Sequence, residues 1–465
     1  MLMSKPFRVM IAALLWMILY IPGFQAQNKL LTSFPPNGLE PVKKTDTDLL
    51  YNAWEMGAME RENNRAIREG SPMMDLLFEI AEQNYYTSIS KQSPSVGIDI
   101  HFIEETLKPD ELLLEYCISE TSLYIFSISH DTCFLFRRGL ELPLWSTLDR
   151  YRKQLRTAEM EGLSQLCQQM YSLLILPVRK FLDGKRRLII IPGKDLSGLP
   201  FEAFIMTDDF HPGTSFNNRR FLVYDYEITY HYSAMQWANQ QYSRLNPGVN
   251  GSNRENKFDF IGFSPFFSTN SNVNPLPESG KEIALIGDLF RKKELSSWLV
   301  YERASRKDDF KEMAGTSKIL HLATHFSPGI DSSDGGGFLF WDYNPCHKHE
   351  EPGKGVLSMQ EICEMRLEND LIVLNACASG SPQKCTSGRM ASLALSFMMA
   401  GGRNILSTLW NIPDTHAFTF IVDFYRQWLS GKTFSQALRA VKIKMIQRKE
   451  TSLPTLWAAY ILMGE

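Results

Sequence analysis

A histidine and a cysteine each end a short apolar run in the second half of the chain. His325 ends the segment 319–325 (Ile-Leu-His-Leu-Ala-Thr-His), and Cys377 ends the segment 371–377 (Leu-Ile-Val-Leu-Asn-Ala-Cys). Runs of this length predict buried strands of a parallel sheet rather than helices. Sites in open α/β sheets form beyond the carboxyl ends of strands, so two neighbouring strands would bring the imidazole and the thiol together. This pairing is typical of a cysteine nucleophile, because a nearby His favours the thiolate.

The spacing and the flanking residues narrow the chemistry. Cys377 lies 377 − 325 = 52 residues after His325, and in caspases the His precedes the Cys by about 50 residues. His321 lies four residues before His325, on the same face of a strand, and is predicted to support the sheet or the reactive His rather than to react. A zinc site is not expected, because the metalloprotease motif needs Glu where Leu322 stands. We expect no cofactor.

Size and composition describe an ordinary globular protein. The 465 residues allow two or three domains or one large one, and 44% hydrophobic with 22% charged residues is an average content. The net charge of −3 gives no electrostatic reason to expect nucleic acid or an anionic membrane as a partner. Seven cysteines without a Cys-x-x-Cys pair predict no disulfide scaffold and at least one unpaired thiol.

The first residues are typical of an export signal. Lys5 and Arg8 precede an apolar run over 9–21, and the small residue Ala26 follows soon after it. A membrane-spanning helix needs about 20 apolar residues, and this run is shorter. We therefore predict a signal peptide over 1–26 and a periplasmic or extracellular protein. The alternative is an uncleaved segment that anchors the chain in a membrane.

Three regions follow the predicted signal peptide. The region 27–97 begins as a Pro-rich linker and continues with two helical patterns. The regions 98–250 and 251–465 carry strand and helix signals, and the Gly- and Asn-rich segment 246–253 marks the boundary between them. The second of these regions alternates strands and helices most regularly. This alternation predicts an α/β fold whose mostly parallel sheet is covered by helices on both faces.

Short blocks of sequence along 98–465 carry a family resemblance. They are Leu-Leu-Glu-Tyr at 113–116, Ile-Ile-Pro-Gly at 190–193, Leu-Pro-Phe-Glu-Ala at 199–203, His-Leu-Ala-Thr-His at 321–325, Asn-Ala-Cys-Ala-Ser-Gly at 375–380, Ser-Thr-Leu-Trp-Asn-Ile-Pro-Asp at 407–414 and Trp-Ala-Ala-Tyr-Ile-Leu-Met-Gly at 457–464. In this order they resemble the CHAT domain, a caspase-like peptidase domain often found behind tetratricopeptide repeats. The resemblance implies an αβα sandwich related to caspases, gingipains and separase, preceded by a short helical segment. It also implies His325 and Cys377 as the catalytic dyad and a protein or peptide as the substrate.

Three features depart from the family pattern. Phe326 stands where the family usually has Gly, Ala378 and Ser379 follow the cysteine, and most of the repeat array is missing. The backbone N–H groups of Cys377 and Phe326 are predicted to stabilise the oxyanion. The departures motivate an alternative function, a catalytically silent CHAT module that acts as a partner-binding scaffold. Another thiol-based acyl hydrolase is a further alternative.

An acidic residue near the end of the chain is a candidate for specificity. In separase a similar Trp-to-Asp block follows the nucleophile, and an acidic residue near it receives a basic P1 side chain. By this analogy Asp414 is predicted to line the S1 pocket, with Trp410 as a second substrate-binding residue. The alternative role for Asp414 is the N-cap of a helix that begins at Thr415. The two roles are compatible.

Overall fold

The structure is a computed structural model that describes a large part of the chain. The described residues are 100–118, 122–139, 143–206, 215–245, 256–266, 275–327, 337–344, 353–375, 383–384, 390–391 and 393–465. Four parts of the chain discussed above lie outside them: the predicted signal peptide, the region 27–97, the boundary segment 246–253 and Cys377.

The described strands form one large sheet and two small ones. In chain order they are β1 (Glu111–Ile118), β2 (Ser122–Ile128), β3 (Cys133–Gly139), β4 (Arg187–Ile191), β5 (Glu227–Tyr230), β6 (Phe258–Ser264), β7 (Ser297–Tyr301), β8 (Ser317–Leu322), β9 (Phe326–Ser327), β10 (Gly337–Leu339), β11 (Val356–Ser358), β12 (Leu371–Leu374), β13 (Gln383–Lys384), β14 (Met390–Ala391), β15 (Ile405–Thr408) and β16 (Tyr460–Met463).

The described helices surround these strands. They are α1 (Ile100–Thr106), α2 (Pro143–Thr157), α3 (Leu163–Leu174), α4 (Gly193–Leu196), α5 (Ala234–Leu245), α6 (Pro277–Arg291), α7 (Lys307–Met313), α8 (Met359–Cys363), α9 (Leu393–Met399), α10 (Asp414–Trp428), α11 (Phe434–Ile446) and α12 (Pro454–Trp457).

The large sheet has eleven strands in the order β3-β2-β1-β4-β5-β16-β15-β12-β8-β6-β7. Its neighbouring strands are parallel except at β1–β2, β2–β3 and β15–β16. The predicted α/β fold with a mostly parallel sheet is therefore confirmed. The run 319–325 overlaps β8, and the run 371–377 begins with β12. All four residues of β12 are buried, as expected for a strand with helices on both faces.

The last strand of the chain joins the two parts of the sheet. β16 pairs in parallel with β5 and antiparallel with β15, so the regions 98–250 and 251–465 share a single sheet. This position requires a strand that is apolar on both faces, and all four residues of β16 are buried. The antiparallel contact also reverses the strand direction. The carboxyl ends of β8, β12 and β15 therefore lie at the edge opposite to the carboxyl ends of β4 and β5.

Helices pack on the sheet according to their apolar faces. In the first part, α1 and α5 contact each other and cover a cluster that contains Leu113, Ile189 and Trp237. In the second part, α6 packs against α10, and the rings of Phe290 and Tyr425 lie 6.0 Å apart. The stretch 143–182 contains α2, α3 and a 3-10 helix at Leu176–Phe181.

Candidate active site

The carboxyl ends of β8 and β12 lie side by side. Leu322 is paired with Leu374 in a parallel register, and the Asn375 N–H donates to the Leu322 carbonyl at 3.0 Å. On the other side of β12, β15 is also parallel, with Leu374 paired to Ser407. The three strands that precede His325, Cys377 and Asp414 in the sequence therefore end at one edge of the sheet.

His325 lies in a turn beyond the end of β8. The strand ends at Leu322, so the alternation of faces used to compare His321 with His325 does not extend to His325. The His325 ring is half-buried and packs against Phe266, with 5.6 Å between ring centroids. The Leu339 N–H donates to the His325 carbonyl at 3.0 Å. These contacts hold the turn that carries the imidazole.

Cys377 lies two residues beyond Asn375, outside the described residues. The dyad of His325 and Cys377 thus remains a prediction. Three other cysteines are buried: Cys133, Cys167 and Cys363. Burial raises the pKa of Cys167 to about 12 and that of Cys363 to about 11. These thiols are held in the protonated, unreactive form.

Phe326 lies in regular strand backbone. It begins β9 and is paired with Phe338 in β10, and it is absent from the described non-glycine residues with positive φ. The side chain therefore causes no strain where the family usually has Gly. The bond from Leu339 to the His325 carbonyl makes Phe326 and Phe338 a pair without mutual hydrogen bonds. The Phe326 N–H consequently points away from β10, toward the open edge of that small sheet.

A buried polar network lies behind the two strand ends. Glu282 of α6 accepts from His321 Nε2 at 2.8 Å and from Asn375 Nδ2 at 2.8 and 2.9 Å. Tyr425 of α10 lies 3.1 Å from His321 Nδ1, and the Tyr460 hydroxyl donates to Asn375 Oδ1 at 3.4 Å. His321 is fully buried and Glu282 almost so. His321 is thus part of the interior, in contact with α6 and α10.

Asp414 is exposed near His325 and Glu278. It is the first residue of α10, whose cap is Pro413, and no side-chain hydrogen bond caps this helix. The N-cap role is therefore wrong, because the helix begins one residue earlier than predicted. Partial burial, and next the charge of Glu278, raise the pKa of Asp414, whereas His325 opposes the shift. The Asp414 carboxylate thus interacts electrostatically with both His325 and Glu278.

The ring of Trp410 is in the core. It is 6% exposed, and its Nε1–H donates to the Thr455 carbonyl at 2.8 Å. A ring so buried supports the turn that leads to Asp414 and offers little surface to a substrate. Among the described residues, no three His, Cys, Asp or Glu side chains are grouped so that they would hold a metal ion.

Sequence reasoning missed Glu282 as a component of this site. The signal for it was present, because the buried positions of α6 follow a helical period. Glu282 stands among them as the one carboxylate: Ser279, Gly280, Glu282, Ile283, Ile286, Gly287 and Phe290. A charged residue on the apolar stripe of a helix requires a buried partner. These partners lie on other elements. The sequence pattern therefore predicts that Glu282 has buried partners but does not identify them.

Comparisons with known proteins agree with this fold. A family model described as the CHAT domain matches residues 164–465. Human tetratricopeptide repeat protein 28 is 29% identical over 109 residues, which are 23% of this chain and 4% of that protein. The chain thus matches only a small part of this much longer relative.

The chain is also similar to two solved structures at low sequence identity. The separase–securin complex of Saccharomyces cerevisiae matches with a TM-score of 0.50 and 9% identity, over 90% of this chain and 33% of that chain. The Arg-specific cysteine proteinase gingipain R (RgpB), a protein of Porphyromonas gingivalis, matches with a TM-score of 0.40 and 11% identity, over 69% of this chain and 74% of that one. The predicted caspase-like fold is confirmed by the family match, the mostly parallel sheet and the separase structure.

Proposed function

This chain belongs to the CHAT domain family, and from that premise we propose that it is a cysteine endopeptidase in which His325 and Cys377 form the reactive dyad. The observation that supports the proposal best is the parallel pairing of β8 with β12, tied at its end by the bond from the Asn375 N–H to the Leu322 carbonyl. The sequence continues from these ends to the two reactive residues within three positions. Parallel strands that end together are the usual framework of such sites.

In the proposed reaction, the Cys377 thiol gives its proton to His325, and the thiolate attacks the scissile carbonyl carbon. The resulting oxyanion accepts hydrogen bonds from the backbone N–H groups of Cys377 and Phe326. His325 then donates the proton to the leaving amine, and a water molecule, deprotonated by His325, hydrolyses the thioester. The outward direction of the Phe326 N–H and its regular strand backbone support its part in this step.

The proposed specificity is for a basic P1 side chain. Asp414 is exposed, and its raised pKa reflects partial burial and the neighbouring charge of Glu278. Two carboxyl groups that repel each other would both gain from a substrate cation between them. Arg is expected to be preferred over Lys, because its planar guanidinium binds a carboxylate with two hydrogen bonds.

The test of the dyad is selective alkylation. Iodoacetamide should label Cys377 ahead of the other cysteines, and His325→Ala should slow this labelling, because a His-paired thiol has more thiolate character. Buried Cys167 and Cys363 serve as internal controls, since their raised pKa values predict slow reaction. Labelling of Cys377 that is indifferent to His325 would favour the silent scaffold. Phe326 gives that alternative little support, because its backbone is unstrained.

The test of specificity compares two exposed aspartates. Asp414→Asn should lower cleavage of Arg and Lys peptides and leave Cys377 labelling unchanged. It should alter the free energy of unfolding by only about 0.5 kcal/mol or less, because the side chain makes no capping bond. Asp308→Asn is the matched control, since Asp308 is also exposed in the first turn of a helix, α7. A P1 profile unmoved by Asp414→Asn removes this residue from the S1 pocket.

The proposed location is outside the cytoplasm, after removal of residues 1–26. Support comes from the basic start and the short apolar run of the sequence. Within the part of the chain that the structure describes, no helix is long and apolar enough to cross a membrane. N-terminal sequencing of the native protein should begin at Gln27. An intact Met1 would contradict cleavage and leave the anchor.

A further inference from the structure

The side chain of Glu282 contacts both strands that lead to the proposed reactive residues, His325 and Cys377. Its carboxylate oxygen Oε1 lies 2.8 Å from His321 Nε2 of β8 and 2.9 Å from Asn375 Nδ2 at the end of β12, and Oε2 lies 2.8 Å from the same amide. Glu282 is 1% exposed. Bonds to an ionised acceptor in a dry interior are about twice as strong as bonds between neutral groups.

The protons of this network can be assigned from their acceptors. Asn375 Nδ2 can only donate, so Glu282 is the acceptor in both contacts between the two side chains. Burial, and next the charge of Glu282, raise the pKa of Tyr425 well above its usual value, so its hydroxyl keeps its proton. That hydroxyl is placed to donate to His321 Nδ1 at 3.1 Å, and His321 Nε2–H is placed to donate to Glu282 at 2.8 Å. In this assignment each of these protons has an acceptor.

The network lies at the ends of β8 and β12, the strands that precede His325 and Cys377 in the sequence. β8 ends one residue after His321, and Asn375 directly follows β12. A shift of Glu282 would therefore move both strand ends relative to each other. A displacement of about 1 Å between reacting groups can lower a rate by about 100-fold.

We propose that Glu282 is a positioning residue, which sets the separation of His325 and Cys377 by holding His321 and Asn375 together. The proposal rests on the proposed peptidase function and adds a residue to it. Glu282 itself touches neither the substrate nor the reacting atoms. Its effect on the reaction is transmitted through the ends of β8 and β12.

A matched control exists in the first part of the sheet. Glu202 is also a buried carboxylate, and it accepts from Lys442 Nζ at 2.6 Å and from the Tyr230 hydroxyl. Tyr230 belongs to β5, which is separated from β12 by β16 and β15. Glu202→Gln therefore perturbs a comparable buried site whose partners, Lys442 and Tyr230, lie on elements other than β8 and β12.

The experiment measures alkylation of Cys377 as a function of pH, with kcat and KM for a peptide substrate. Glu282→Leu should lower the labelling rate and kcat by about 100-fold with little change in KM. It should also shift the pH profile of labelling toward that of an ordinary thiol, with a pKa of about 8.5. Glu282→Gln retains one acceptor for Asn375, so it should lower both rates only about tenfold.

The controls separate positioning from stability and from the dyad itself. Glu202→Gln should lower the melting temperature yet leave the pH profile unchanged. Glu282 variants that are folded and keep the wild-type profile, while His325→Ala slows labelling, would overturn the positioning role and leave the dyad intact. Labelling that is indifferent to His325→Ala would overturn both. If Glu282→Leu does not fold, the result with Glu282→Gln decides.

Discussion

Two buried carboxylates, one in each part of the sheet, are satisfied in different ways. Glu202 is paired with the fully buried ammonium of Lys442, which reaches it from α11. Glu282 is contacted by the side chains of His321 and Asn375, on two adjacent strands. The first carboxylate therefore has a cation that cancels its charge, and the second has donors of hydrogen bonds.

The two carboxylates also differ in the elements that they join. The pair of Glu202 and Lys442 joins a helix to the segment beside β5, and burial lowers the pKa of Lys442 while Glu202 opposes that shift. Such a pair fixes how a helix lies on a sheet, since neither charge is stable there alone. Glu282 joins the ends of two adjacent strands of the same sheet, β8 and β12, which precede His325 and Cys377 in the sequence. A buried carboxylate costs stability unless its oxygens are hydrogen-bonded, and His321 and Asn375 supply those bonds.

The largest effect should come from breaking the ion pair of the first part. Lys442→Met leaves the Glu202 carboxylate buried and unpaired, which should destabilise the protein by about 3 to 5 kcal/mol. Urea unfolding measures the change. Lys444→Met is the control, because Lys444 is 44% exposed and its partner Asp423 keeps a second cation, Arg426, so the expected loss is about 1 kcal/mol or less. Equal losses in the two variants would refute the importance of the buried pair.

Acidification should next distinguish two buried histidines. Burial, and next the charge of Arg244, lower the pKa of His231 to about 3. The unfolded chain binds a proton there below about pH 6.5 and the folded chain does not, so stability falls as the pH falls. Between about pH 7 and pH 5 the loss from this group should be about 2 kcal/mol.

The check on this prediction is a pair of variants. Unfolding in urea at both pH values should show a smaller acid loss in His231→Gln than in the wild type. The His321 ring contacts Glu282 and Tyr425 through its two nitrogens, so it serves as the comparison. If the loss of stability at low pH persists in His231→Gln and disappears in His321→Gln, the prediction is wrong and His321 is the source of the pH dependence.

The smallest effect on stability, and the sharpest contrast in function, should come from two tyrosines. Tyr230→Phe and Tyr425→Phe each remove a buried hydroxyl that contacts one network, at a cost of about 1 kcal/mol. Only Tyr425→Phe should slow the alkylation of Cys377, because its partner His321 holds Glu282. A slower reaction in both variants would mean that reactivity follows overall stability, and the contrast between the two networks would be lost.

Local sequence patterns predicted much of the fold of this protein. The apolar runs before His325 and Asn375 predicted two parallel strands, because a strand buried on both faces must be apolar at consecutive positions. The order of the blocks predicted the caspase-like fold. The sequence analysis did not predict that Glu282 of α6 and Lys442 of α11 are buried, although both stand among the buried positions of their helices.

Only the tertiary structure decided which groups those charges meet. Glu282 is 39 residues from His321 and 93 from Asn375, and His321 is 104 from Tyr425. The sequence likewise did not place β16 between β5 and β15, since four apolar residues fit any central position of the sheet. Helix α10 begins at Asp414, one residue earlier than predicted, so Asp414 is not its N-cap. Periodicity encodes which face of an element is buried, whereas partners depend on the packing of segments distant in sequence.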